Sequence, residues 1–373
     1  MNRLTDAKRL VVKIGSALLV EDESSRIRHD WLATLAADVA AYRAEGREVL
    51  IVSSGAIAAG RRHLGMEGRT LRLEEKQAAA ATGQIRLAHA FQEALLPHGI
   101  TVAQILLTLD DTERRRRHLN ARATLRQLLD LGAVPIINEN DTVATEEIRF
   151  GDNDRLAARV AAMIGADLLI LLSDIDGLYD SDPRANPNAA HIAEVTAVTP
   201  AIEAMAAAAV RGYASGGMVT KLQAAKIALA GGCHMVIGDG RAAHPLRAIA
   251  AGARCTWFVA SAAPQSARKQ WIAGSLKPKG VLGVDDGAWR ALQNGRSLLP
   301  VGVLQVTGRF ERGDLVMIRA RDGQELGRGL CAYSSNDAVL IAGHKTSEIE
   351  GILGYRGRDE IIHRDDLVID CVQ

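Results

Sequence analysis

Arg9-Leu-Val-Val-Lys-Ile-Gly15-Ser16 is a short apolar run that stops at a glycine and a serine, and the same arrangement recurs along the chain. Glu48-Val-Leu-Ile-Val-Ser53 runs into Ser54-Gly55, and residues 100–107, 133–138, 167–173 and 234–237 repeat the pattern. Such runs, bounded by turn residues, read as buried strands. Between them lie stretches with helical spacing. Over residues 29–45, Trp31, Leu32, Leu35, Val39 and Tyr42 fall on one face, and Gly46 is placed to end the helix. Continuous apolar strands alternating with amphipathic helices predict a mostly parallel sheet covered on both faces, an α/β three-layer αβα sandwich. In such sheets ligands bind outside the carboxyl ends of the strands. Here those ends carry Gly15-Ser16, Ser54-Gly55, Asn138-Glu139-Asn140-Asp141 and Ser173-Asp174.

The 373 residues suit one large and one small domain. After about Trp271 the pattern changes. Lys277-Pro-Lys-Gly280 reads as a linker, and short strands are expected at 302–307, 315–320, 327–332 and 339–341, separated by Gly and Asp turns. The expected division is residues 1–274 and a small β-rich domain over 278–373. Aromatic residues make up only 3% of the chain, so the core must be built from Ala, Val, Leu and Ile. The formal net charge of +1 gives no field that would draw the molecule to nucleic acid or an anionic membrane, so the expected ligand is small. The charged amino-terminal stretch and the lack of a long apolar run predict a cytoplasmic protein that does not cross a membrane. Cys233, Cys255, Cys331 and Cys371 lie far apart, which suggests reduced, packed residues rather than a disulfide framework or a zinc site.

No Walker A sequence and no GxGxxG fingerprint is present. The glycines stand instead in short turns at strand ends, where bare N–H groups can approach phosphate. Lys13 brings a cation to the sheet's active edge, unless it only snorkels out of a strand end. Ser54 is either a helix N-cap or an anion binder, since both uses draw on exposed N–H groups and a hydroxyl. The clusters Asn138-Glu-Asn-Asp141 and Gly151-Asp-Asn-Asp-Arg155 follow a buried strand in close succession, more than loop chemistry alone requires. An Asp and an Asn can hold the ammonium and carboxylate ends of an amino acid. The segment 173–184 reads as a binding loop. Ser215-Gly-Gly-Met-Val-Thr-Lys221 leads into a helix over 222–230, with a lysine where the helix dipole disfavours it, so an anion is expected nearby.

Val-Val-Lys-Ile-Gly-Ser, Ser-Ser-Gly-Ala-Ile-Ala-Ala-Gly, Ile-Asn-Glu-Asn-Asp, Gly-Asp-Asn-Asp, Asp-Gly-Leu-Tyr-Asp-Ser-Asp-Pro-Arg and Gly-Gly-Met-Val-Thr-Lys occur here in the order found in glutamate 5-kinases. The resemblance spans essentially the whole chain. The later part, with Ile341-Ala-Gly-His344 and Leu353-Gly-Tyr355, resembles the PUA domain that such kinases often carry. The resemblance implies the amino acid kinase fold with a small PUA-like barrel, ATP and Mg²⁺ as cofactors, and L-glutamate as substrate. The product would be the γ-carboxyl phosphate, the first intermediate of proline biosynthesis. It also implies a homo-oligomer, coupling to glutamyl phosphate reductase and, commonly, inhibition by proline.

By the same resemblance, Ser54, Asp141 and Asn153 would hold glutamate. Lys13, Ser173, Asp174, Ser215, Gly216, Gly217, Met218, Val219, Thr220 and Lys221 would hold ATP. Lys13 and Lys221 would flank the transferring phosphoryl group, and Asp154 would orient the two lysines. No metal ligand is singled out. Two positions depart from the pattern, Ser173 for the expected Thr and Ala214-Ser215 for Gly-Thr, and both keep a hydroxyl. The rivals are another carboxylate kinase of the same fold and an RNA-binding protein acting through the PUA domain. Against the second, that domain shows no basic stripe interleaved with aromatics. Arg114 to Arg117 would spread around a helix as a solvated or subunit-contacting face.

Overall fold

A computed structural model of the chain describes residues 3–21, 25–143, 152–208, 217–274 and 277–369. The chain divides into two compact units, Met1–Pro264 and Gln265–Gln373. The first is built on β1 (Arg9–Ile14), β2 (Glu48–Val52), β3 (Val102–Leu107), β4 (Val134–Glu139), β5 (Leu168–Ser173), the hairpin β6 (Leu178–Tyr179) and β7 (His191–Ile192), β8 (Glu194–Val195), β9 (His234–Asp239) and β10 (Cys255–Phe258). All but the hairpin form one eight-stranded sheet in the order β3-β4-β2-β1-β5-β9-β10-β8. Every neighbouring pair is parallel except β9 and β10. The expected parallel α/β sheet is therefore present. β8 and β10 were not expected from the sequence, because they are short and only every second residue of Cys255–Phe258 is buried.

Strand side chains alternate between the faces. Leu10, Val12 and Ile14 of β1 join a core with the helices His29–Ala44 and Leu73–Leu95. Val11 joins a second core with the helices Arg115–Asp130, Asp152–Ile164 and Gly217–Ala230. Lys13 shares the face of Val11, so its side chain is directed under the second helical layer. Because the strands are parallel, β1, β2, β4, β5 and β9 all end along one edge of the sheet. Their register sets Lys13 beside Val52 and Leu171, and Ser173 beside Asp239.

In the second unit β11 (Gly280–Val284), β12 (Val303–Gly308), β13 (Leu315–Arg319), β14 (Glu325–Leu330) and β15 (Leu367–Ile369) form a sheet in the order β12-β11-β13-β14-β15. It is antiparallel except for the pair β11 and β13. The strand expected at 339–341 is instead part of the helix Ser335–Ile341. Ser334 caps it by accepting from the Asp337 amide at 3.2 Å, and burial of Ala338 and Ile341, three apart, follows a helical period. The helix Pro264–Gly274 belongs with this unit, where Ile272 packs against Leu315 and Leu330.

In the arginine run Arg114, Arg116 and Arg117 are exposed, whereas Arg115 is half-buried with part of its guanidinium out of solvent. Arg114 pairs with Asp110 at 2.6 Å, and Arg117 reaches Asp110 and Asp111 at 3.2 and 3.1 Å. Cys233 and Cys331 are buried free thiols and Cys255 is half-buried, while Cys371 lies outside the described residues.

Candidate functional site

The centre of the site is Asp154, 1% exposed, in the first turn of the helix Asp152–Ile164, where a carboxylate suits the helix dipole. Lys13 Nζ lies 2.6 Å from its Oδ1, and Lys221 Nζ donates to its Oδ2 at 3.1 Å. The Thr220 hydroxyl donates to the same Oδ2 at 3.1 Å. Both lysines are buried, 6% and 8% exposed. The anion that the position of Lys221 calls for is therefore already present in the fold. Within contact distance one carboxylate faces two ammonium groups, and the charge of Asp174 also acts on Lys13.

Burial alone would raise the Asp154 pKa, but the two ammonium groups outweigh it and hold the carboxyl at about 2. Lys13 is pushed below the ordinary lysine range by burial and by the like charge of Lys221, against the pull of Asp154 and Asp174. Two buried, mutually repelling cations suit a phosphate, since its negative oxygens relieve that repulsion in a poorly solvated place.

On the neighbouring side, Asn153 ties β2 to β4. Its Nδ2 lies 3.1 Å from the Ser53 carbonyl oxygen, 3.1 Å from Ser54 Oγ and 3.0 Å from Asn138 Oδ1. Gly55, at φ +90°, turns the chain from β2 into the helix Ala56–Arg61 and leaves Ser54 at the turn. Asp141 is buried just past the end of β4. Asn153 Oδ1 and Asn138 Nδ2 are buried and, among the described residues, have no hydrogen-bond partner. One acceptor and one donor are thus left over, a pairing that a small zwitterion could satisfy. Asn138 belongs to the cluster that the sequence marks at the end of β4, but no individual role is assigned to it there. The available signal is a buried amide at the end of the apolar run Val134-Pro-Ile-Ile137.

A pocket opens beside Lys221. Ser173, Asp174, Tyr179, Met205, Met218 and Lys221 are among the residues that line it. Ser173 Oγ donates to Asp174 Oδ1 at 3.2 Å, and Arg184 donates to Asp174 Oδ2 at 2.9 Å. Burial works to raise the Asp174 pKa, yet these hydrogen bonds and the Arg184 charge leave it lowered. Among the described residues a Cβ on Gly217 would meet nothing within 4 Å, and Gly217 is exposed at the start of the helix Gly217–Ala230. Val219 packs towards the core beneath. Ser215 and Gly216 lie outside the described residues, as does Gly151. Met205, in an alanine-rich helix, carries no sequence signal for a pocket wall.

The amino acid kinase family model matches residues 8–239, and the PUA domain model matches residues 280–353. Glutamate 5-kinase of Paramagnetospirillum magneticum is 63% identical over 99% of this chain and 100% of its own length. Glutamate 5-kinase of Rhodospirillum rubrum is 60% identical over 96% of each. Among solved structures, the carbamate kinase from Giardia lamblia bound to AMP-PNP covers 70% of this chain and all of its own, with a TM-score of 0.51 and 16% identity, a likeness of fold.

Proposed function

The chain belongs to the glutamate 5-kinases of the amino acid kinase family, and from that premise we propose that the Lys13–Asp154–Lys221 cluster carries phosphoryl transfer from ATP to the side-chain carboxylate of L-glutamate. The enzyme is a phosphotransferase with a carboxyl acceptor. Its product is L-glutamyl 5-phosphate, the first step of proline biosynthesis. The observation that carries the site assignment is the pair of buried lysines held on the two oxygens of the buried Asp154 carboxylate.

Phosphoryl transfer asks mainly for positioning and for neutralisation of charge on the equatorial oxygens. Lys13 and Lys221 supply two cations, and Asp154 fixes their separation by holding one on each carboxylate oxygen. Glutamate's carboxylate is already ionised at neutral pH, so no general base is required. Ser54, Asp141 and Asn153, with Asn138, would hold glutamate, and the unpartnered amide atoms of Asn153 and Asn138 support this reading. Ser173, Asp174 and the segment 215–221 would hold ATP, supported by the pocket that Ser173, Asp174, Gly217, Met218 and Lys221 share. Mg²⁺ would arrive with the nucleotide phosphates, since this ion sheds its waters reluctantly, and would neutralise part of their charge. Relatives that match across both units favour the kinase over an RNA-binding protein.

The test is ATP consumption with glutamate, N-acetylglutamate, aspartate and UMP in parallel, with any acyl phosphate trapped as its hydroxamate. Turnover is expected with glutamate alone and is expected to vanish in Lys221→Ala. Turnover with a different acceptor would overturn the glutamate assignment of Ser54, Asp141 and Asn153. A Lys221→Ala variant that keeps full activity would overturn the catalytic cluster.

A further inference from the structure

We propose that the helix Leu73–Leu95 sets the geometry of the acceptor subsite from behind, with Gln84 as a positioning residue for glutamate. The inference rests on the reading of Ser54, Asn138, Asp141 and Asn153 as that subsite. Gln84 is buried, and its Nε2 donates to the Glu139 carbonyl oxygen at 3.3 Å. Glu139 stands between Asn138, which takes the Asn153 amide, and Asp141. The next amide, Asn140 N, donates to the Leu107 carbonyl oxygen at 2.9 Å. The end of β4 is therefore fixed at two successive points, and Gln84 is the side-chain hold.

The neighbouring residue serves the opposite wall. A Cβ on Gly83 would come within 1.8 Å of the Ala56 carbonyl oxygen, and one on Gly60 within 1.9 Å of the Ala79 carbonyl oxygen. Neither glycine has a positive φ, so it is space and not backbone freedom that requires them. The helix Ala56–Arg61 starts directly after Ser54-Gly55, and its seat on the long helix decides where the Ser54 hydroxyl lies. Two consecutive residues thus touch both walls of the subsite. The helices Ala56–Arg61 and Leu73–Leu95 pack on the Val12 face of the sheet, away from the face that carries Lys13. The effect should fall on glutamate and spare ATP.

Gln84→Met keeps the side chain's length and removes the donor. Loss of one hydrogen bond is expected to raise KM for glutamate about fivefold to tenfold, with KM for ATP and kcat within about twofold of wild type. Gly83→Ala should raise the same KM by displacing the Ser54 turn, and where it fails to fold, Gln84→Met decides alone. An unchanged glutamate KM in Gln84→Met overturns the proposal. So do equal rises in both KM values together with a fall in Tm, which would mean general loosening. Ser54→Ala, measured alongside, separates the two failures. If it too leaves the glutamate KM unchanged, the subsite assignment itself has failed.

Discussion

Asp154 has two tasks that a substitution can pull apart, since its carboxylate both holds Lys13 and Lys221 in place and keeps their charges tolerable in a buried setting. Asp154→Asn keeps the size and removes the charge. Turnover is expected to fall by about a hundredfold or more, as when a preorganised electrostatic contact is lost. The residual activity should decline at lower pH on the alkaline side, because Lys13, already below the ordinary lysine range, loses the partner that kept it protonated. A pH profile of kcat for the two proteins checks both parts. Stability carries its own signature. The folded Asp154 pKa, about 2, lies below the unfolded value, so its contribution is full above the unfolded pKa. That contribution, roughly 2 kcal/mol, is lost as pH falls from near 4 through about 2. Acid unfolding of wild type and Asp154→Asn should therefore converge at the low end of that window; a constant gap would contradict the assignment. Lys13 is legible in the sequence because a lysine interrupts an apolar strand. Asn138 is legible only as part of a polar cluster and Gln84 not at all, because their partners, Asn153 and the Glu139 carbonyl, come from other elements.

Strands that are buried on both faces, such as β1, β2 and β5, announce themselves as unbroken apolar runs, and the sequence locates them closely. Short strands do not, and the helix Ser335–Ile341 deceives because Val339-Leu-Ile341 has the composition of a strand while its cap lies upstream at Ser334. Connections between distant elements are also hidden. Asp38, in the helix His29–Ala44, is 3% exposed and accepts from the Leu246 and Arg247 amides at 3.0 and 3.2 Å, with His244 Nδ1 at 2.9 Å. It satisfies the open amino end of the helix Pro245–Ala250 from across the fold. Asp38→Ala strands those N–H groups and is expected to cost about 2–4 kcal/mol. Urea unfolding measures this. kcat of the folded variant should stay near wild type, since Asp38 belongs to the core layer opposite Lys13. A loss below 0.5 kcal/mol, the level of an ordinary surface change, would mean that solvent replaces the carboxylate.

The chain changes pattern, from long apolar runs to short strands between Gly and Asp turns, as it passes from one compact unit to the other. Helical spacing near Trp271 gives no sign of which sheet the helix serves; Ile272, fully buried against Leu315 and Leu330, assigns it to the second unit. Each unit has its own core, and every described residue of the proposed site lies within Met1–Pro264. Glutamate-dependent ATP consumption should therefore survive removal of the second unit, and the two possible cut points should differ. A chain ending at Pro264 leaves both cores of the first unit intact. One ending at Gly274 keeps the helix Pro264–Gly274 without the strands that bury Ile272, which exposes an apolar side chain and invites association. The shorter protein is expected to be the more soluble by sedimentation, with kcat within about threefold of the full chain. If neither truncation turns over while circular dichroism shows it folded, the second unit contributes to the chemistry, and the site as drawn from the first unit is incomplete.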